Sequence, residues 1–249
     1  MSQNKALQIT SADLHILAMG LMLCDHLWAM LFPAAEWLTC IGRMAFPIFA
    51  FMAVEGFIHT HNLRRYLLRL LIGAILSEIP FNLMYGGSIF YPYHQNVLWI
   101  FLLSLLILSL IEKCRSRFQP VLAVLLSVGL AAAGYLIGYI TMVDYYGVGI
   151  LTVLTFYIFR KRNLTNCLLQ FLCLYILNVK LLGGYYYEFT LLGRNVEIVQ
   201  QGLALLALIP IWLYQGKQSF HSKTFQRFCY AFYPVHMLIL FLIKEWVLR

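Results

Sequence analysis

Long apolar runs, separated by short polar stretches, succeed one another along the whole chain. They fall at about 12–32, 38–58, 66–85, 96–112, 120–141, 145–160, 164–182, 197–214 and 229–247. A helix needs roughly 20 mostly apolar residues to cross a bilayer, with a range of about 17–25. The pattern therefore predicts an all-α, polytopic membrane bundle of about nine transmembrane helices, with the runs at 96–112 and 145–160 the shortest. No Ser/Gly linker, low-complexity tract or internal repeat interrupts it, so residues 1–249 read as one domain.

The basic residues give the predicted helices an orientation. Lys5 precedes the first run, Arg64, Arg65 and Arg69 follow the second, and Lys113, Arg115 and Arg117 follow the fourth. Arg160, Lys161 and Arg162 follow the sixth, and Lys217, Lys223 and Arg227 precede the ninth. The opposite loops and end hold only Lys180, Arg194, Lys244 and Arg249. Cytoplasmic loops are the ones enriched in Lys and Arg, which predicts a cytoplasmic N-terminus.

Composition agrees with the pattern. The chain is 62% hydrophobic and 11% charged, with a mean hydropathy of +0.78, far from the about 25% charged residues of soluble domains. The net charge of +8 gathers on no soluble face, so nucleic acid is not expected as a partner and the lipid bilayer is. Met1-Ser-Gln-Asn-Lys5 and the run after it lack a signal-peptide cleavage pattern, so that run is expected to remain as a helix. The six cysteines form no CxxC pair and read as small buried hydrophobes.

Against this background the ionisable residues inside the runs stand out, because each costs a few kcal/mol on insertion scales and such groups usually face a bundle interior or an aqueous cavity. Asp25 and His26 lie side by side in the first run, about two turns from its outer end, and Arg43 is expected at the same depth in the second. Together they make an acid-base unit, or else an Asp–Arg pair that fixes helix packing. Glu78 and Asn82 share a face of the third run, and Pro80 between them should kink or end that helix. Gln95 and Asn96 open the fourth run. Asp144 with Tyr145 opens the sixth and Glu197 opens the eighth, where an acid also complements the helix dipole. On the inner side Glu55 and His59 share a face at metal-like spacing, but two ligands make no metal site and none is predicted. Arg64, Arg65 and Arg69 suit either topology anchoring or bidentate phosphate binding. His236 enters the last run, where a packing role is the plain alternative.

The ordered set of motifs resembles the TraX family of integral membrane proteins, whose namesake N-acetylates the pilin of conjugative plasmids. The matching motifs are Asp25-His26, Gly42-Arg43-Met-Ala-Phe-Pro47, Glu55-Gly-Phe-Ile-His59, Arg64-Arg65-Tyr66 with Arg69, and Ser77-Glu78-Ile-Pro80-Phe-Asn82. They continue with Gln95-Asn96-Val97, Asp144-Tyr145 with Gly147, and Tyr233-Pro234 with His236. The family is similar to a wider group of membrane acyltransferases, including the acyltransferase-3 proteins and the lysosomal heparan-alpha-glucosaminide N-acetyltransferase. This resemblance implies transfer of an acetyl group from cytoplasmic acetyl-CoA, the donor substrate, to an amine or hydroxyl at the membrane or its outer side. The acceptor could be a protein N-terminus, a glycan or a small amine. The implied catalytic residues are His26, Asp25, Arg43 and Glu78. Asn82, Gln95, Asn96, Asp144 and Tyr145 would serve the acceptor or the oxyanion. Glu55, His59, Arg64, Arg65, Arg69 and His236 would serve the acyl-CoA, with Lys113, Arg115 and Arg160 as further phosphate contacts. The implied location is the bacterial inner membrane. Two rival classes share the buried charges: a proton-coupled transporter, and a non-catalytic assembly factor.

Overall fold

A computed structural model describes residues 9–191, 194–217 and 222–247. Lys5 and Arg249, both used above for orientation, lie outside the described residues. The helices are α1 (Ser11–Met30), α2 (Glu36–Gly42), α3 (Ala45–His59), α4 (Leu63–Gly86), α5 (Leu98–Arg117), α6 (Pro120–Ile140), α7 (Tyr146–Ile158), α8 (Leu164–Tyr175), α9 (Leu208–Leu213) and α10 (Lys223–Val247). A π-helical segment, Ile176–Leu182, continues α8, and a 3-10 helix, Gln200–Ala207, leads into α9.

Local chemistry sets many of these boundaries. Thr10 caps α1 in a reciprocal box: its hydroxyl accepts from the Asp13 N–H at 3.3 Å, and its own N–H donates to the Asp13 carboxylate at 2.9 Å, satisfying two otherwise orphaned donors. Asn62 and Asn163 cap α4 and α8 by accepting backbone N–H groups at 2.9 and 2.8 Å. Pro47 has no N–H to give the Arg43 carbonyl four residues back, and the second apolar run accordingly breaks between Gly42 and Ala45 into α2 and α3. Pro80, by contrast, does not end α4. The helix continues to Gly86 and stops at Gly87, which adopts a left-handed conformation (φ 63°). Pro80, Phe81 and Asn82 are all buried, so packing holds the turn together where leaving the backbone unpaired in an apolar medium would cost more.

Among the described residues, five helical stretches are long and apolar enough to cross a membrane: Glu36–His59, Leu63–Gly86, Pro120–Ile140, Leu164–Leu182 and Thr224–Val247. Five of the nine apolar runs thus coincide with stretches that qualify by length and composition. Tyr146–Ile158 and Gln200–Leu213 are too short. Two helices, α1 and α5, each have 20 residues, but Asp13, His15, Asp25 and His26 dilute the first and Glu112, Lys113 and Arg115 the second. The fold also departs from a purely helical one. Tyr186–Leu191 (β1) and Arg194–Val199 (β2) form an antiparallel hairpin. Glu197 therefore opens no helix; it lies on β2 directly opposite Glu188, and its expected complementarity to a helix dipole is withdrawn.

The chain forms two compact units: Met1–Met52 with Lys161–Tyr233, and Ala53–Arg160 with Pro234–Arg249. In the first unit α1 packs on α2, and the π-helical segment packs on the 3-10 helix. In the second unit α4, α5, α6 and α7 form the body. There α6 turns Val121, Val124, Leu125 and Val128 outward at helical spacing, as a lipid-facing surface requires. Its inner face is nearly bare: a Cβ on Gly138 would meet the Gly147 Cα at 2.8 Å, so small residues let α6 and α7 touch backbone to backbone.

Candidate functional site

Each of the two units carries part of the predicted site. In the first unit, α1 carries Asp25 and His26, and the end of α2 carries Thr39, Gly42 and Arg43. Gly42 lies against α1 so closely that a Cβ there would stand 2.5 Å from the Asp25 Cβ and 3.0 Å from its Cα. That approach lets Asp25 Oδ1 accept from both the Arg43 guanidinium and the Thr39 hydroxyl, the latter at 2.7 Å. The Arg43 Nε also donates to the Thr39 carbonyl at 3.4 Å. The two charged side chains are 14% and 19% exposed, so this is a largely desolvated ion pair. Successive residues on a helix point about 100° apart, and His26, 6% exposed, stands with its ring centroid 6.4 Å from that of Tyr233 on α10. Asp25 and Arg43 thus meet as the sequence suggested. Thr39 and Tyr233 were not among the predicted site residues, although Thr39 lies four positions before Arg43, on the same face.

In the second unit Glu78 projects from α4. Its Oε2 accepts from the Asn96 amide and from the Trp99 indole, the latter at 2.9 Å. Asn96 is fully engaged: its amide also donates to the Ala74 carbonyl at 2.9 Å, and its Oδ1 accepts from the Leu98 N–H at 3.1 Å. It locks the start of α5 to α4 and aims Glu78. Asn82, one turn after Glu78, donates to the Ile89 carbonyl at 3.1 Å.

The loop before α5 is tied to the loop before α7. The Gln95 N–H donates to the Met142 carbonyl, and the Asp144 N–H to the Gln95 carbonyl, both at 2.9 Å; the Gln95 side chain donates to the Pro92 carbonyl at 2.9 Å. This clamp delivers Asp144 to His94 at 3.3 Å. Tyr145 takes a left-handed conformation (φ 57°) and opens α7. His94 packs edge-on against Phe81 and Tyr85, at 5.0 and 5.4 Å between ring centroids. Burial alone would lower its pKa, but the hydrogen bond and charge of Asp144 outweigh it and raise the pKa above the ordinary histidine value. His94 was missing from the predicted site because its partner is 50 residues away; only the clamp between loops joins them.

The remaining predicted residues belong to the second unit. Glu55 and His59 approach within 3.7 Å, with the His59 side chain 61% exposed. Arg64 and Arg65 lie exposed in the first turn of α4, and the Arg69 guanidinium sits 5.5 Å over the Tyr66 ring. Arg160 stands 4.7 Å over Tyr157, and Arg115 reaches Glu112 at 3.3 Å, while Lys113 is exposed on the same helix. His236 is buried on α10. Among the described residues, no three His, Cys, Asp or Glu side chains come together as a metal site would need.

Long apolar helices with ionisable side chains buried among them define a helical membrane protein. Its family is settled by comparison: the chain matches the family described as TraX protein over residues 10–244, and it belongs to the TraX family. It is 27% identical over 252 residues to the probable fimbrial assembly protein FimC, serogroup H1, of Dichelobacter nodosus, covering 96% of this chain and 97% of that one. No solved structure matches.

Proposed function

We propose that this chain is a multi-pass membrane acetyltransferase, moving an acetyl group from acetyl-CoA to an amine or hydroxyl acceptor, with His26 as the general base. The observation that carries this reading is a buried histidine beside a carboxylate already engaged by Arg43 and Thr39, in a chain of the TraX family. Arg43 balances the charge of Asp25, and His26 is proposed to act from its neutral form. In the proposed step the acceptor attacks the thioester carbonyl, His26 removes the acceptor's proton, and the tetrahedral intermediate expels the CoA thiolate, which recovers that proton. Arg43, fixed by Asp25, supplies positive charge for the oxyanion, while Asp25 acts by positioning Arg43.

Separate assignments complete the reading. Arg64, Arg65 and Arg69 offer guanidinium groups of the kind that bind phosphates bidentately, and they are proposed for the CoA phosphates, with Glu55, His59 and His236 as further donor contacts. Asn82, Gln95, Asn96, Asp144 and Tyr145 are proposed to serve the acceptor, Asn96 through its hold on Glu78. The proposal includes a bacterial inner-membrane location, nine membrane segments and a cytoplasmic N-terminus. The printed name of the Dichelobacter nodosus relative favours a subunit of a pilus or fimbria as acceptor, and equally keeps a non-catalytic assembly role as the competitor.

The test is transfer of radiolabelled acetyl from acetyl-CoA by the purified full-length protein. His26→Ala is expected to lower turnover by about 10²–10⁴-fold, the usual contribution of a general base, at unchanged thermal unfolding. Wild-type turnover in that variant would remove His26 from the chemistry. No transfer or acetyl-CoA hydrolysis by wild-type protein, with gradient-driven uptake in proteoliposomes, would establish the transporter instead.

A further inference from the structure

The network around Glu78 leaves two oxygens over. Glu78 Oε2 receives two N–H groups, from Asn96 and Trp99, while its Oε1 is buried with no hydrogen-bond partner. Asn82 is 3% exposed; its amide goes to Ile89, and its Oδ1 is likewise buried without a partner. Both leftover atoms are acceptors, and residues four apart on a helix are side-chain neighbours. Two acceptors cannot join unless one of them carries a hydrogen.

We propose that Glu78 is a proton-binding site: its carboxyl group is neutral in the folded protein, with the hydrogen on Oε1 and donated to Asn82 Oδ1. One proton then completes the whole inventory. As a carbonyl oxygen, Oε2 has two lone pairs for Asn96 and Trp99, Oε1–H becomes a donor, and Asn82 makes a bond through each end of its amide. Neutrality also removes the penalty of burying a bare carboxylate oxygen that no donor reaches. The proton comes from solvent hydronium, leaving water, so no other reactant is needed. Among the described residues the titratable group that acts on Glu78 is His94, and Asp144 sits on His94 at 3.3 Å and offsets its charge; Asn96 and Trp99, the side chains that bind Glu78 from the start of α5, are uncharged.

The proton site shares Glu78, Asn82 and Asn96 with the acyl-transfer reading but does not rest on it, and its test uses no turnover. Infrared spectra of the full-length protein in lipid nanodiscs at neutral pH should show the C=O stretch of a carboxylic acid, above the amide band. It should vanish in Glu78→Gln and move to higher frequency in Asn82→Leu, where the hydrogen bond is lost. Gln has the shape and hydrogen-bond pattern of the neutral acid, so Glu78→Gln should unfold at the same temperature as wild type in acid. It should be the more stable of the two as pH rises, because the wild-type fold must then hold a proton that an unfolded glutamate gives up above about pH 4.3. A lower unfolding temperature for Glu78→Gln at neutral pH, failure of that variant to fold, or no carboxylic-acid band assignable to Glu78 would each overturn the proposal and leave Glu78 ionised.

Discussion

Removing the guanidinium from Arg43 tests the first cluster most directly. In Arg43→Met the side chain keeps most of its apolar stem, so packing changes little, but Asp25 loses its ion-pair partner while remaining 14% exposed. Breaking a buried pair from one side costs about 3–5 kcal/mol. The Thr39 hydroxyl, 2.7 Å from Asp25 Oδ1, is left in place, which favours the lower end of that range. The loss also has a ceiling. A stranded carboxylate can escape by taking up a proton, at about 1.4 kcal/mol for each pH unit above the ordinary aspartate value near 3.9. The ceiling is therefore about 4 kcal/mol at pH 7 and about 1.5 kcal/mol at pH 5. Arg43→Met should lower stability by about 3 kcal/mol at pH 7, an unfolding temperature on the order of 10 °C lower, and by half that or less at pH 5.

The assay is thermal unfolding of purified protein in detergent, followed by tryptophan fluorescence at both pH values, on Arg43→Met, Asp25→Asn and the double variant. The double variant has no stranded charge and should recover more than half of the loss, giving a coupling energy of roughly 2 kcal/mol. A loss below about 1 kcal/mol, the same at both pH values and additive in the double variant, would refute the reasoning. The pair would then behave like an exposed salt bridge.

Gly42→Ala places a methyl group 2.5 Å from the Asp25 Cβ and 3.0 Å from its Cα; α1 and α2 must part, at about 1–3 kcal/mol, whereas Gly20→Ala, with open space around the new Cβ, should be neutral or stabilising by about 0.5–1 kcal/mol, as paired unfolding measurements would show. For the His94–Asp144 pair, the raised histidine pKa means that the folded state binds the proton more tightly. Its contribution is complete below the unfolded value near pH 6.5 and is lost as pH climbs through the higher folded value. Protection of the 91–97 amides from hydrogen exchange should therefore fall across that window in wild type and show no such step in Asp144→Asn; a step that survives the substitution would exclude this pair as its source.

What the sequence revealed and what it hid can be argued residue by residue. The Asp25–Arg43 pair was legible because two consecutive apolar runs, read with a fixed orientation, place both residues at one depth. The helix break at Arg43 was not foreseen in the run at 38–58, although Pro47 carries the signal once its missing N–H is counted back four residues. Whether Pro80 would end its helix was not legible: burial of its neighbours decides whether a helix survives a proline, and burial is not written locally. The hairpin was hidden inside a loop and the start of an apolar run. Tyr-Tyr-Glu-Phe-Thr-Leu and Arg-Asn-Val-Glu-Ile-Val are rich in aromatic and β-branched residues, but Glu197-Ile-Val also reads as the start of an apolar helix. His94 and Asp144 could not be joined from the sequence at all, since only the backbone pairing of Gln95 with Val143 brings them together.

In both units several buried or half-buried polar side chains lie at departures from regular helix. Arg43 stands at the break between α2 and α3, Asn82 follows Pro80, Asp144 precedes the left-handed Tyr145, Asn178 lies in the π-helical segment and Gln201 in the 3-10 helix. The coincidence has a physical cause. Within hydrocarbon an irregular backbone survives only where protein, not lipid, surrounds it and supplies hydrogen bonds. Such positions mark the interior better than hydropathy does, and hydrogen-bond completeness then sorts them. Asn178 donates to the Leu174 carbonyl at 2.9 Å and accepts from Gln201 at 3.0 Å, so that pair closes on itself and serves as structure. Asp25, Arg43 and Thr39 are joined by hydrogen bonds and an ion pair around Asp25 Oδ1, with His26 on the next face of α1. Glu78 with Asn82 does not close, and a buried network short of one hydrogen is where a proton should be sought.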